Sequence, residues 1–223
     1  MSGVFVTATG TGCGKTWVTR GLAAALLRAG RSVAAIKPIE TGVDPRAFDA
    51  EALARACGRP GLANASGLLR ARSPLSPYAA TLEGELPVIE PSALAAAVRQ
   101  LAAEADVALV EGAGGLLVPL TRLHDTRDLA SALGWPLLLV ARDALGTLSH
   151  TLTAIEAAST RGLEVRAIVL TRGPWSTDDP SVRTNLRILA ERSPAPVLSF
   201  PACEDEDEAL ARAAAPLIDA LTL

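Results

Sequence analysis

Clusters of basic residues are missing from this sequence of 223 residues, and their absence excludes one group of functions. Lys and Arg number 21 against 24 Asp and Glu, which gives a formal net charge of -3. No segment concentrates positive charge, so we expect neither a nucleic-acid partner nor binding to an anionic membrane surface. The composition, 49% hydrophobic and 20% charged, is typical of a globular protein rather than a disordered chain.

Cysteines, targeting signals and long apolar runs are also scarce. The three cysteines, Cys13, Cys57 and Cys203, are odd in number and widely spaced, which predicts neither a disulfide framework nor a zinc site. The N-terminal segment lacks the basic and long apolar regions of a signal peptide, and no apolar run is long enough to cross a bilayer. We therefore expect a cytoplasmic protein with reduced thiols and no membrane partner.

Short apolar runs alternate with longer amphipathic segments along the chain. The apolar runs predict strands at 3–7, 33–36, 107–110, 137–140, 165–170 and 197–198. Helices are predicted at 15–29, 48–57, 91–105 and 147–161, and from 207 onward. Continuous apolar strands separated by helices are typical of a parallel sheet covered on both faces. We therefore predict an α/β fold with a doubly wound, mostly parallel sheet, in one domain over residues 1–223. The irregular segment 58–87 is interpreted as a loop excursion within it, carrying substrate-facing loops.

The stretch ATGTGCGKT, residues 8–16, is the strongest functional signal. It matches the phosphate-loop pattern G-x-x-x-x-G-K-[ST] except that Thr9 takes the place of the first glycine. Lys15 would reach the β- and γ-phosphates, and the Thr16 hydroxyl would bind Mg²⁺. The next helix would add the partial positive charge of its N-terminus. A glycine-rich turn with a chance G-K-T is the alternative, but the strand–loop–helix context favours a nucleotide site.

Two further predicted strands end in charged residues. Glu111 ends the predicted strand in DVALVEGAGGLLVPL. A carboxylate at the end of such a strand contacts Mg²⁺ in phosphate-loop enzymes. The alternative is a strand that is simply followed by a glycine-rich turn. Lys37 follows another strand, at the edge where open α/β sheets bind ligands. Taken alone, Lys37 is better interpreted as a surface cation, and Asp49 as the N-cap of the helix that follows it.

Other chemically distinctive side chains lie outside any motif. His124 and His150 accompany no nucleophile pattern, so structural or surface roles are the default interpretation. The three tryptophans, Trp17, Trp135 and Trp175, are expected in the core or at its rim.

Taken together, the motifs resemble those of the dethiobiotin synthetase family. The resemblance extends from residue 5 to about residue 201. Its motifs are T-G-T-G-x-G-K-T at 9–16, K-P-I-x-T-G at 37–42, S-P-L-S-P-Y at 73–78, V-E-G-A-G-G-L-L-V-P-L at 110–120 and L-G-T-L-S-H-T at 145–151. Many phosphate-loop enzymes share the first, whereas the motifs of Lys37 and Glu111 together are specific to this family.

The resemblance implies a homodimeric P-loop ligase that depends on ATP and Mg²⁺. Its other substrates would be 7,8-diaminononanoate and CO₂ or bicarbonate. One amine would become a carbamate, which attacks the γ-phosphate of ATP to give a carbamic-phosphoric anhydride. The second amine would displace phosphate and close the ureido ring, leaving dethiobiotin, ADP and phosphate.

The resemblance also assigns roles to individual residues. The implied metal ligands are Thr16, Asp49 and Glu111. The implied catalytic residues are Lys37, Lys15 and Thr11. The diamine or its carbamate would contact Thr11, Lys37 and Thr41, and its carboxylate would meet Gly146, Thr147 and Ser149 of the partner subunit, at a helix N-terminus. The residues expected to bind ATP are Gly12, Cys13, Gly14, Lys15, Thr16, Trp17, Asp49, Glu111, Gly112, Ala113, Gly114, Thr171, Arg172, Pro201, Ala202, Cys203 and Glu208.

One departure from the family pattern concerns the nucleobase. Many members place an asparagine at the strand end where this chain has Thr171 and Arg172. A hydroxyl cannot make the paired donor and acceptor contacts of an amide. The hypothesis that follows is relaxed base selectivity, with CTP accepted beside ATP; equal rates with the two would support it, and strict ATP dependence would contradict it.

Two other functions share the phosphate-loop scaffold. An amidoligase of the cobyrinate type usually carries a glutamine amidotransferase domain with Cys and His, for which the sequence predicts no counterpart. A partitioning ATPase that binds DNA or membrane usually has a lysine early in the loop, where this chain has Gly10. ATP turnover without any diamine, raised by DNA or lipid, would favour the second alternative.

Overall fold

The computed structural model describes residues 2–223. Its strands are β1 (Ser2–Ala8), β2 (Val33–Ile36), β3 (Ile39–Thr41), β4 (Leu69–Ala71), β5 (Val107–Gly115), β6 (Leu137–Arg142), β7 (Val165–Thr171) and β8 (Val197–Phe200). Its α-helices are α1 (Lys15–Arg28), α2 (Phe48–Ala56), α3 (Pro77–Leu82), α4 (Pro91–Ala102), α5 (Thr126–Leu133), α6 (Thr147–Ser159), α7 (Asn185–Arg192) and α8 (Asp207–Leu221). Short 3₁₀ helices cover Pro60–Asn64, Pro174–Ser176 and Pro180–Arg183.

Six strands form one fully parallel sheet in the order β2-β5-β1-β6-β7-β8. Consecutive residues of β1 and β5 are buried, so both faces of the sheet are covered, as the continuous apolar runs predicted. The chain winds to opposite sides of β1, which opens crevices at the carboxyl edge of the strands. The predicted α/β fold with a doubly wound parallel sheet is confirmed.

The helix α1 packs most closely against α8. A methyl group added at Gly21 would lie 2.5 Å from the carbonyl oxygen of Leu210 and 2.9 Å from Cβ of Ala214. Only a glycine permits this approach of the two helix backbones. Because α1 begins directly at the phosphate loop, its contact with α8 fixes the position of that loop on the sheet.

The segment 58–87, predicted as an irregular excursion, contains regular structure. It holds the 3₁₀ helix Pro60–Asn64, the strand β4 and the helix α3. β4 pairs with β3 in a second, two-stranded parallel sheet. The Ser76 hydroxyl accepts a hydrogen bond from the N–H of Ala79 and so caps α3. No helix within residues 2–223 combines the length and apolar character that a membrane crossing requires.

Candidate functional site

The loop between β1 and α1 has the backbone of a phosphate-binding loop. Gly12 and Gly14 adopt φ values of 70° and 84°, in the left-handed region that favours glycine. Gly14 is the N-cap of α1 and supplies no side-chain acceptor. The first N–H groups of α1 are therefore available to an anion, which the helix dipole also attracts.

Lys15 lies within this loop with its ammonium group held by backbone. Its Nζ donates a hydrogen bond to the Gly10 carbonyl at 3.0 Å, and the residue is buried. Burial lowers the pKa of Lys15 below its ordinary value, and the neighbouring charge of Glu111 opposes that effect. A phosphate oxygen would offer this ammonium a charged partner in place of a neutral carbonyl.

The centre of the site is an ion-pair cluster at the carboxyl edge of the sheet. Parallel pairing of Ile36 with Val110 makes the next residues, Lys37 and Glu111, neighbours. Lys37 Nζ lies 2.5 Å from Glu111 Oε1 and 2.8 Å from Asp49 Oδ2. The chemistry predicted separately at the ends of two strands is thus brought together.

The charges in this cluster sustain one another. Burial would lower the pKa of Lys37, but the carboxylates of Glu111 and Asp49 outweigh it and hold that pKa above its ordinary value. Burial would raise the pKa of Asp49, but the Lys37 ammonium outweighs it and holds that pKa below its ordinary value. Lys37 and Asp49 are therefore both charged at neutral pH.

One carboxylate oxygen in the cluster is left without a partner. Glu111 is fully buried, and its Oε1 accepts hydrogen bonds from Lys37 Nζ and, at 3.0 Å, from Thr16 Oγ1. Its Oε2 is buried with no hydrogen-bond partner among residues 2–223. A buried, unpaired carboxylate oxygen is unfavourable, and a bound cation would remove that cost.

The oxygen atoms around Lys37 fit a magnesium ion. Mg²⁺ is usually bound by one or two carboxylates together with substrate phosphates and water. Thr16, Asp49 and Glu111 supply a hydroxyl and two carboxylates at one point beside the phosphate loop. Within the described residues no group of three or more His, Cys, Asp or Glu forms a complete metal cage. A metal site that obtains part of its ligands from phosphate oxygens needs no complete cage of protein side chains.

The N-cap interpretation of Asp49 is wrong. The N-cap of α2 is Ala47, and Asp49 lies in the first turn of the helix. At the start of α2 the N–H groups of Asp49 and Ala50 instead donate to the two carboxylate oxygens of Glu40, each at 2.9 Å. Burial raises the pKa of Glu40, although these hydrogen bonds oppose it. With its helix end capped by Glu40, the Asp49 carboxylate is free to face Lys37.

A cavity of about 660 Å³ opens beside the cluster. Thr11 of the phosphate loop and Thr41 at the end of β3 both line it, as do Lys37, Asp49 and the start of α3. The structure thus brings together the predicted triphosphate, metal and substrate residues of one protomer. Part of the segment 58–87 forms a wall of this cavity.

Thr11 also lines a second cavity, of about 400 Å³, together with residues 115–119 and His150 of α6. Gly146, the N-cap of that helix, has φ 93° and offers no side-chain acceptor. Gly146, Thr147 and Ser149 lie outside the first cavity, so their contact with a substrate of the partner subunit stays a prediction.

Several residues expected to bind ATP do not line the first cavity. They are Cys13, Gly112, Thr171, Arg172, Pro201, Ala202, Cys203 and Glu208. Thr171 is fully buried, and its hydroxyl donates to the Cys13 carbonyl at 2.8 Å. Arg172 Nε is bound to Asp143 Oδ2 at 3.0 Å. The Thr171 side chain therefore braces the loop from behind, whereas Arg172 is tied to Asp143.

Glu208 is one of this outlying group. Its carboxylate pairs with Arg28 at 3.3 Å and with Arg212 at 3.1 Å, on the exposed side of α8. It therefore links α1 to α8 at the surface.

Two side chains at the cavity were not singled out for it from the sequence. Trp175 lines the cavity, and its ring is stacked on that of Trp17 with 6.4 Å between ring centroids. Arg142 Nε donates to the Gly12 carbonyl at 2.9 Å, and its guanidinium lies 4.9 Å from the Trp175 ring centroid. Neither residue belongs to a recognised motif, and only the rim interpretation of the tryptophans pointed toward this place.

Solved structures of other proteins share the fold of this chain. The alignment with chloroplast FtsY from Physcomitrella patens covers 100% of this chain and 65% of the FtsY chain, with a TM-score of 0.57 and 20% identity. The MinC:MinD cell division protein complex from Aquifex aeolicus matches 100% of this chain over 95% of its own, with a TM-score of 0.59 and 15% identity. At such identities these likenesses establish the P-loop α/β fold alone.

Sequence relatives are far closer. A family model described as an AAA domain matches residues 2–204. The ATP-dependent dethiobiotin synthetase BioD of Anaeromyxobacter sp. (strain Fw109-5) is 45% identical over 83% of this chain and 82% of its own. The enzymes of the same name from Caulobacter vibrioides (strain NA1000 / CB15N) and Streptomyces coelicolor are 42% and 43% identical, covering 90% and 89% of this chain and 93% and 82% of their own. At this identity and coverage, the chain belongs to the ATP-dependent dethiobiotin synthetase family.

Proposed function

We propose that this protein uses ATP and CO₂ to convert 7,8-diaminononanoate into dethiobiotin, with ADP and phosphate as the other products. The observation that carries the proposal is the Lys37 ammonium held between Glu111 and Asp49, directly beside a phosphate loop. A phosphate loop alone would suit many nucleotide enzymes. The family and this cluster together favour the ligase over an amidoligase or a partitioning ATPase.

The reaction brings together two groups of like charge. One amine nitrogen of the diamine attacks CO₂ and loses a proton, which gives a carbamate. A carbamate oxygen then attacks the γ-phosphorus of ATP, and ADP leaves. Because nucleophile and phosphoryl group are both anionic, the site must supply positive charge. Lys15 and Lys37 supply it from within the chain.

The protonation state of Lys37 suits this task. Its raised pKa keeps the ammonium charged at neutral pH. Lys37 therefore stabilises the negative charge of the carbamate and of the transferring phosphoryl oxygens, and it does not act as a base. Thr16, Asp49 and Glu111 would hold Mg²⁺, which when bound neutralises phosphate charge. The Thr11 and Thr41 hydroxyls, which line the same cavity, would orient the diamine and its carbamate.

Ring closure needs no further charged catalyst. The second amine attacks the carbonyl carbon of the carbamic-phosphoric anhydride, its proton is lost and phosphate leaves. The role of the chain is to keep both nitrogen atoms close to one carbon, which positioning by hydroxyl groups achieves.

The substrate tail is proposed to reach a second copy of this chain. The start of α6, with Gly146, Thr147 and Ser149, would bind the tail carboxylate in the active site of the partner subunit. Support comes from the uncapped N-terminus of α6 and from the large exposed side chains of Leu145 and Leu117 near it. We place the reaction in the cytoplasm, where ATP is available and the three free cysteines stay reduced.

The test is to follow product and phosphate together. The purified protein is incubated with MgATP, bicarbonate and 7,8-diaminononanoate, and dethiobiotin is detected by mass. Phosphate release is measured with and without the diamine. Product with diamine-dependent phosphate release supports the proposal. Nucleotide binding without product contradicts it, and ATP turnover that ignores the diamine would favour a switch-type ATPase.

A further inference from the structure

The side chains expected to read the nucleobase have other partners. The Thr171 hydroxyl is directed at the carbonyl groups of Cys13 and Ala141, at 2.8 and 3.2 Å. Arg172 is bound to the buried carboxylate of Asp143. Neither side chain lines the cavity. A base held there must be recognised by something else.

An aromatic surface occupies the right place. Lys15 and Thr16 belong at the β- and γ-phosphate end of a bound nucleotide, and Trp17 follows them directly along α1. Trp17 and Trp175 both line the cavity, with 6.4 Å between their ring centroids and 28° between their planes. The two rings therefore lie within reach of the base of a nucleotide whose triphosphate occupies the loop.

Trp175 is fixed by its surroundings before any ligand binds. Its Nε1 donates to the Thr171 carbonyl at 3.1 Å, and the Ser176 hydroxyl donates to the Asp143 carbonyl at 2.7 Å. Arg142 joins the ring to the phosphate loop, through its contact with the Trp175 face and its hydrogen bond to Gly12. The ring is thus a preorganised wall, which lowers the entropy lost on binding.

The segment that carries Trp175 is anchored from below as well. The buried Asp143 carboxylate accepts hydrogen bonds from Arg172 Nε at 3.0 Å and from Asn185 Nδ2 at 2.9 Å. Arg172, whose side chain is partly exposed, therefore helps to hold the segment that presents the tryptophan.

We propose that Trp175, together with Trp17, binds the nucleobase by stacking, and that this stacking replaces hydrogen-bond recognition of the base. The inference rests on the proposed function for the triphosphate itself. Stacking tolerates every base because each has a π-face. Selectivity among nucleoside triphosphates is therefore shallow, and ATP and GTP bind somewhat more tightly than CTP because purines offer more stacking area.

The experiment separates the base from the phosphates. Calorimetric titration measures the affinity of the full-length protein for MgATP, MgGTP, MgCTP and magnesium tripolyphosphate, which has no base. The same titrations are run on Trp175→Ala and Trp175→Phe. We expect Trp175→Ala to weaken ATP binding by roughly tenfold, as the loss of one base–aromatic stack does, and to leave tripolyphosphate binding unchanged. Trp175→Phe retains most of the ATP affinity because it keeps an aromatic face.

A matched control comes from the opposite end of the sheet. Trp135 packs over Gly3, where an added methyl would lie 2.4 Å from its ring, far from the phosphate loop along β1. Trp135→Phe is expected to leave the ratio of ATP to tripolyphosphate affinity unchanged. A drop in that ratio equal to that of Trp175→Ala would overturn the assignment to Trp175.

The remaining outcomes are decisive in either direction. If Trp175→Ala weakens the binding of ATP and of tripolyphosphate equally, the ring only supports the phosphate loop, and the inference is wrong. A wild-type preference for ATP over both GTP and CTP above about a hundredfold would indicate hydrogen-bond recognition and would also overturn it. If the affinity for ATP depends on the Trp175 ring but the protein forms no dethiobiotin, the inference is supported and the proposed function is contradicted.

Discussion

Replacement of Lys37 by methionine is the sharpest test of the ion-pair cluster. Methionine keeps much of the length of lysine but has no charge. Glu111 would lose the ammonium at 2.5 Å and keep only the Thr16 hydroxyl, while its Oε2 is already without a partner within residues 2–223. We expect the main cost to arise at Glu111, which is fully buried, because the Asp49 side chain is 43% exposed and can be solvated.

Removing one partner of a buried ion pair destabilises proteins by about 3–5 kcal/mol. We therefore expect Lys37→Met to lower the free energy of unfolding by about 3–5 kcal/mol at pH 7, in the absence of Mg²⁺ and nucleotide.

The assay is urea denaturation at pH 7, with a double variant as the control. Lys37→Met combined with Glu111→Gln removes the unpaired charge along with the lysine, so most of the lost stability returns. A Lys37→Met variant as stable as the wild type, or a double variant no more stable than Lys37→Met, would refute the account. Dethiobiotin formation by Lys37→Met is expected to fall by about 10²–10³ in kcat, as the loss of one group that stabilises developing charge does.

Three further predictions test neighbouring features. Gly21→Ala should lower the free energy of unfolding by about 1–3 kcal/mol, because the added methyl group meets the backbone of α8. The control in the same urea titration is Gly61→Ala, whose added methyl group has no atom of the described residues within 4 Å. Lys37 depresses the pKa of Asp49, so Asp49 adds stability above the unfolded pKa of about 3.9 and loses it as pH falls further. The stability gap between wild type and Asp49→Asn should accordingly be largest near pH 7 and close below about pH 4, and a gap that widens in acid would contradict this. Thr16→Val should raise the Mg²⁺ concentration for half-maximal activity by roughly tenfold, because the variant loses one charge-assisted contact with the ion. An unchanged Mg²⁺ concentration for half-maximal activity would show that Thr16 is not part of the metal site.

The main sheet was predictable because its strands are apolar on both faces. All six predicted runs are strands, since continuous Val, Leu and Ile segments have few other places in a globular fold. The small sheet of β3 and β4 was missed because three-residue strands carry no periodicity and pair across about thirty positions of sequence. β5 runs on through its glycines to Gly115, where pairing with Ala8 rather than intrinsic propensity maintains the strand.

The charged centre of the site was predictable for a different reason. Lys37 follows β2 and Glu111 follows the apolar part of β5, and because these parallel strands are paired in register, topology alone brings the two residues together. Trp175 and Arg142 gave no such signal. Their contact with the phosphate loop depends on a 3₁₀ turn and a cation–π pair that no local pattern encodes.

The arrangement around Glu111 supports the proposed cation site. Lys37 and Thr16 both donate to Oε1 of Glu111, and Oε2 is left bare although the residue is fully buried. A second donor at Oε2 would stabilise the ligand-free protein but would occupy the place of a cation. The Glu40 carboxylate shows the contrast, because both of its oxygens are satisfied by the start of α2. The fold satisfies both oxygen atoms of Glu40, whereas the proposed cation would satisfy the second oxygen of Glu111, which is the trade of stability for function expected at an active site.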